Sequence, residues 1–331
     1  MTGYLSLYAY YKEENVYEVP TTMEYFKITT KNGKQVISLK EEYKDILAGK
    51  ITLPSSANNK AINAIADNGF YRASKITHIF FLPDNTSYET IGIRAFAQCE
   101  QLQYIELPKN LVEINTNAFA HCLKLTDVKF NEQLKTIGSF AFSGDDRNNV
   151  DHPVNVAAMS LQISTLPDSI ETIYGHAFLE GGPGVTITKL PKNLRNLDAY
   201  VFHSCPNVCI TELGSNDGSF ALNSLSNHSL SEAGKNCTDN KMVRIYSSVE
   251  CIGELAFENY LSANAQFIFY NTLDQNKSSI YYYATTDKNP TKLSSPDGAG
   301  AITDGTIVSM GCRPGSFVLY NQAEQTYVEA L

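Results

Sequence analysis

Apolar residues return along this chain at fixed offsets from a recurring phenylalanine. With Phe70, Phe96, Phe119, Phe142, Phe178, Phe202 and Phe257 as anchors, the residue five before is always aliphatic: Ile65, Ile91, Ile114, Ile137, Ile173, Leu197, Ile252. The residue eight before is always apolar: Ile62, Tyr88, Leu111, Leu134, Ile170, Leu194, Val249. Agreement at three offsets in every segment identifies copies of one unit. Successive anchors lie 26, 23, 23, 36, 24 and 55 residues apart, a period near 23 with two interruptions. The long gaps place insertions near 144–162 and 214–241, both rich in Asn, Ser, Gly and Asp as loops tend to be.

After the anchor the chain reads Leu-x-x-Ile-x-Leu-Pro, as in Leu102, Ile105 and Leu107, or Leu125, Val128 and Phe130. Apolar positions with polar ones between them suit a short strand whose neighbours come from adjacent copies. The proline that follows has no N–H to donate, so pairing stops there. One unit cannot bury its own apolar residues, whereas stacked copies lay Leu on Leu and Phe on Phe. The expected fold is a repeat solenoid, with one short strand per repeat joined by irregular or 3₁₀ turns. Cys99, Cys122 and Cys205, each three residues after an anchor, read as buried thiols filling a small slot, and no disulfide is expected among them.

The two ends do not repeat. Residues 1–50 read as an N-terminal cap, with strands at Tyr25–Thr30 and Gln35–Leu39 about the turn Lys31-Asn32-Gly33-Lys34. A helix is expected to open at Ser38 with a capping box to Glu41 and to end near Gly49. Repeats then occupy 51–270. Residues 271–331 read as a β-rich C-terminal cap or small module, with strand-like runs at 280–285, 306–310 and 316–320.

The unit LPxxLxxIxxxAFxxCxxLxxIx resembles the BspA-like leucine-rich repeat, a family of Bacteroidetes-type surface and secreted proteins. The resemblance covers Ile51 to Tyr270, and Ala-Phe-x-x-Cys is its most specific part; Gly69 and Val201 depart from it where Ala would precede the anchor. It implies a leucine-rich-repeat right-handed coil and an extracellular or cell-surface location. It also implies adhesion or protein binding through the repeat surface, with no catalytic residues to carry over. The implied ligand is a protein or glycan, such as host extracellular matrix or another cell surface. The competing reading is a structural spacer in a surface assembly.

Charge and chemistry narrow this further. The 26 Lys and Arg against 35 Asp and Glu give a net charge of -9 with no basic cluster, which disfavours nucleic acid. No apolar run approaches the roughly 18 residues of a membrane helix, and Met1 to Tyr11 shows no signal peptide. No nucleotide, zinc-protease or serine-hydrolase motif appears, so neither an enzyme nor a cofactor is expected. Cys205 and Cys209 lack a second ligand pair for zinc, and Asp297 and Asp304 fit no EF-hand spacing. Tyr281, Tyr282 and Tyr283 are expected to be divided between the faces of a strand. The candidate partner-binding face is the outward side of the repeated strand: Thr77, His78 and Phe80, then Gln103, Tyr104 and Glu106, then Thr126, Asp127 and Lys129.

Overall fold

A computed structural model describes residues 21–82, 87–144, 157–215 and most of 217–269, together with the backbone of strands between 279 and 327. The repeats stack as rungs of a solenoid, and the anchor rings form its spine. Phe70, Phe96, Phe119, Phe142, Phe178 and Phe202 are fully buried. Their centroids follow one another at 5.1, 5.2, 5.2, 5.5 and 5.5 Å, with interplanar angles of 5° to 25°. Phe26 of the N-terminal hairpin sits 6.2 Å from Phe70. Such ring pairs are worth about 0.5–1.5 kcal/mol each beyond the area they bury.

Two ladders of strands flank the spine. The first runs through the residue five before each anchor. Its two-residue strands Thr90–Ile91, Glu113–Ile114, Thr136–Ile137, Thr172–Ile173 and Asn196–Leu197 pair in parallel, each aliphatic residue beside its equivalent. The second is the expected strand after the anchor. Gly49–Leu53, Ile76–Phe81, Tyr104–Glu106 and Asp127–Lys129 pair in parallel with Ile79, Ile105 and Val128 in register. A further sheet joins Glu212–Leu213, Met242–Ile245 and Gln266–Phe269 in parallel and adds Thr306–Ser309 antiparallel. Strands Ser279–Ala284 and Gly315–Asn321 pair antiparallel near the C-terminus. Tyr281–Tyr283 falls in the first of these, and its side chains lie outside the described residues, as do Asp297 and Asp304.

The rung turns explain the Ala-Phe pair. Each anchor amide donates to the carbonyl of the residue just before the next anchor: Phe96 to Ala118, Phe119 to Ala141 and Phe142 to Ala177, each at 2.8 Å. A small side chain before the anchor lets neighbouring turns approach this closely, and Ala95, Ala118, Ala141 and Ala177 are fully buried. The residue two before each anchor adopts positive φ although none is glycine: Asn68, Arg94, Asn117, Phe140, His176, Tyr200 and His228 all lie between 53° and 63°. That conformation costs on the order of 1 kcal/mol per residue. Ring stacking offsets part of it, with Phe140 on His176 at 4.4 Å, His176 on Tyr200 at 4.9 Å and Tyr200 on His228 at 4.5 Å.

Two expectations need correction. The stretch 214–241 contains a rung rather than only an insertion. Ser224–Leu225 continues the first ladder between Asn196–Leu197 and Cys251–Ile252, and fully buried Leu230 stands in the anchor place with Leu222 eight before it. The helix from Ser38 to Gly49 is a 3₁₀ turn over Glu41–Tyr43. Ser38 is drawn into the strand Lys34–Leu39, where its hydroxyl donates to Lys27 O at 3.5 Å and cannot cap. In the rungs anchored by Phe70, Phe96 and Phe119 a further strand ahead of the anchor joins the expected one after it. The hairpin itself turns at Asn32 and Gly33, both at positive φ, the geometry two-residue hairpin loops require. Residues 145–156 of the other insertion lie outside the described residues.

The thiols of Cys99, Cys122 and Cys205 are buried and free. Each donates to the carbonyl of the preceding rung's anchor, Phe70, Phe96 or Phe178, at 3.0 to 3.1 Å. Burial raises the Cys205 pKa to about 12, and burial together with Cys99 pushes Cys122 well up. Cys209 and Cys237 form a disulfide that the spacing did not announce.

Ser229 occupies the small position before Leu230. Its hydroxyl is buried with no hydrogen-bond partner. Ser229→Ala should therefore raise unfolding stability by about 1 kcal/mol, since an unpaired buried hydroxyl costs roughly that much. Chemical denaturation checks this, and an unchanged or lower midpoint counts against the packing described.

Candidate functional site

The outward side of the second ladder brings the candidate residues together in register. His78, Tyr104 and Asp127 are direct cross-strand neighbours, and Glu106 faces Lys129. His78 and Tyr104 rings stack at 5.9 Å, and Phe80 lies 6.1 Å from His78 and 5.3 Å from Tyr104. Thr77 Oγ1 sits 2.9 Å from His78 Nδ1, and Thr126 Oγ1 donates to Gln103 O at 3.1 Å. The Tyr104 hydroxyl donates to Glu106 at 3.5 Å, and Lys129 pairs with Asp127 at 3.5 Å.

Phe80 is the correction on this face. It shares the side of His78 and Tyr104 but is only 3% exposed, so it supports those rings rather than offering a contact. Gln103, Glu106 and Lys129 are exposed, while Thr77, His78, Tyr104, Thr126 and Asp127 are half-buried.

His78 titrates below the ordinary value of 6.5. Partial burial is the larger cause, and the Lys50 ammonium on the adjacent strand adds to it. The folded state thus holds His78 neutral where an unfolded chain would begin to take up the proton. Its contribution to stability is complete above the unfolded value and is lost as pH falls through that value toward the folded one. An NMR titration should place the His78 midpoint below that of a free imidazole, and Lys50→Gln should move it upward; no movement would remove Lys50 as a cause.

Asp127 and Lys129 also border a groove of about 1120 Å³ that continues past the third rung. Its walls include Glu132, Ser164, Thr165, Asp168, Thr188, Lys189, Lys192, Glu212 and Phe220. Salt bridges neutralise most of its charge: Lys192 with Asp168 at 3.1 Å, and Glu212 with Arg244 at 3.1 Å. Sequence reasoning stopped at the third rung and missed this part. The signal was present in Thr165-Leu166-Pro167 and Lys189-Leu190-Pro191, which repeat the strand-ending Leu-Pro of Leu107-Pro108. Among the described residues no three His, Cys, Asp or Glu side chains gather as a metal site, and no helix is long and apolar enough to cross a membrane.

A coil of paired strands around a phenylalanine spine, with Ala before Phe96, Phe119, Phe142 and Phe178 and Cys three after Phe96, Phe119 and Phe202, defines a leucine-rich-repeat protein. The BspA type leucine-rich repeat region matches residues 63–160 and 156–234 in six copies, and the chain belongs to that family. Solved structures with likeness to the chain include the leucine-rich repeat protein of T. pallidum, 25% identical, covering 62% of this chain and 91% of that one with a TM-score of 0.48. A leucine-rich repeat protein of Bacteroides ovatus is 18% identical over 77% of this chain and 72% of its own, with a TM-score of 0.44. The pneumococcal vaccine antigen PcpA is 19% identical over 62% and 65%, with a TM-score of 0.38. No curated protein matches the chain.

Proposed function

We propose that this is a non-catalytic binding protein of the cell surface or extracellular space, engaging a protein or glycan ligand through the outward face of the second ladder. The groove beside Asp127 and Lys129 carries the reading, because a recess of about 1120 Å³ continues a row of half-buried aromatic and polar side chains on one face. Interfaces are built from aromatic anchors ringed by polar groups, and Tyr104 with its supporting rings supplies that arrangement. The Cys209–Cys237 disulfide supports an oxidising compartment, where such bonds persist. Membership of the repeat family supports binding through the repeat surface.

Surface plasmon resonance against purified matrix proteins and cell-surface glycans tests it. At least one should bind saturably, and Tyr104→Ala with Lys129→Ala should weaken that binding by about tenfold, the loss expected when a contact worth 1.4 kcal/mol goes. Tyr174→Ala should leave it unchanged, because Tyr174 is 47% exposed beside the first ladder. Equal losses from both variants would remove the second ladder as the site, and no binding across the panel would favour the spacer.

A further inference from the structure

The second ladder lapses between Lys129 and Glu212. On the early side, Asp127–Lys129 pairs residue for residue with Tyr104–Glu106. On the far side, pairing resumes when Glu212–Leu213 meets Arg244 and Ile245. Between them stand one isolated bridge, Ile163 to Val185, and single amide bonds such as Gln162 to Thr126 O and Cys209 to Ile187 O.

The cause is legible in the side-chain order. In the second rung the apolar residues are Leu102, Ile105 and Leu107, so a single polar residue, Glu106, stands ahead of the Leu-Pro. The later rungs carry Leu161, Ile163 and Leu166, then Val185, Ile187 and Leu190, which leaves two adjacent polar residues ahead of each Leu-Pro. Ser164 and Thr165 are both exposed, as are Thr188 and Lys189. A pleated strand sends successive side chains to opposite faces, so two neighbours facing water break the ladder.

The consequence is a row of unused hydrogen-bonding groups on the groove floor. Among the described residues, the main-chain N–H and C=O of Ser164, Thr165, Thr188 and Lys189 find no partner, and neither do their side chains. Lys189 also has no acidic partner, although the adjoining Lys129, Lys192 and Glu212 are each paired. Half-buried Phe220 lines the same recess.

Resting on the binding role given above, we propose that this interruption receives an extended polypeptide segment of a partner protein. The segment's main chain pairs with Ser164–Thr165 and Thr188–Lys189, one of its carboxylates meets Lys189 Nζ, and a neighbouring apolar side chain covers Phe220. Donors and acceptors spaced along a backbone are matched by another backbone, which is how exposed sheet edges add a strand. Lys189, whose ammonium has no acidic partner among the described residues, supplies the preference for that carboxylate, while Glu132 in the same wall, likewise without an ion-pair partner among them, favours a basic group elsewhere on the segment.

The test uses the full chain and a fluorescein-labelled library of end-blocked pentapeptides with Asp fixed at the centre and Val or Thr at the other positions. Anisotropy should show saturable binding, and hydrogen exchange should slow at 164–165 and 188–189. Methylating two alternate amide nitrogens of the peptides should weaken binding by at least about tenfold, and Lys189→Ala or an Asn-centred library by about fivefold. Equal affinity of the methylated library overturns main-chain pairing, as does a complete absence of binding and protection at 1 mM. If a matrix ligand still loses affinity with Lys129→Ala in that case, binding at the second ladder stands and the strand-receiving interruption alone is wrong. Sensitivity of the site to an acidic oligosaccharide and not to the peptides likewise overturns it.

Discussion

Phe119→Ala should lower unfolding stability by about 4 kcal/mol, the range found when a fully buried aromatic ring is cut to a methyl. Phe119 is the place where the loss should be greatest, because it stacks on Phe96 and Phe142, both at 5.2 Å and within 10° of parallel. Its amide and carbonyl are committed as well, to Ala141 O at 2.8 Å and to the Cys122 amide at 3.2 Å. A solenoid is stable as a sum of rungs and nearest-neighbour interfaces. The alanine variant should therefore lose cooperativity, with hydrogen-exchange protection falling first in residues 91–142 and later in the outer rungs. Calorimetry and exchange mass spectrometry read both effects. A single, equally sharp transition within about 1 kcal/mol of the parent would show that the ring column does not couple the rungs.

Loss of the Cys209–Cys237 disulfide should cost about 3–4 kcal/mol, from the chain entropy released when a loop of this size opens. The two residues are 28 apart in sequence, with Cα atoms 6.0 Å apart. They join the rung anchored by Phe202 to the one anchored by Leu230, where the aromatic column gives way to an aliphatic side chain. The bond thus reinforces a rung interface that has no ring-on-ring stacking in the column. The double variant Cys209→Ser, Cys237→Ser should melt well below the parent. Reductant should bring the parent to the same midpoint and leave the variant where it is, while a parent indifferent to reductant would show that the bond contributes nothing.

The architecture was legible because its cause is periodic. Fixed offsets around Phe70 to Phe202 put every aliphatic partner on one ladder, and burial of those positions is complete. The Leu230 rung escaped notice because the unit was defined by its aromatic anchor, although Leu222 and Leu225 keep the same offsets. Turn geometry was hidden for a different reason. Positive φ is normally announced by glycine, and here Arg94, Phe140 and Tyr200 adopt it under the control of neighbouring turns. Three rungs of the candidate face could be read from strand alternation, but the groove could not, since it arises where alternation fails. Phe80 shows the limit of alternation itself, which assigns a side of the sheet and not whether that side is wet.

The anchor turns carry a directional consequence. Among the described residues, alternate amides of each anchor turn donate to the next turn's carbonyls, so any such stack ends with a row of carbonyls free at one face and a row of amides free at the other. Nothing within a rung tells it to stop, and two bare ends of separate molecules would join head to tail into a filament. The N-terminal hairpin is the terminator at its end: Leu39 donates to Gly69 O at 2.8 Å and Phe26 covers Phe70, which closes the first turn against a second molecule.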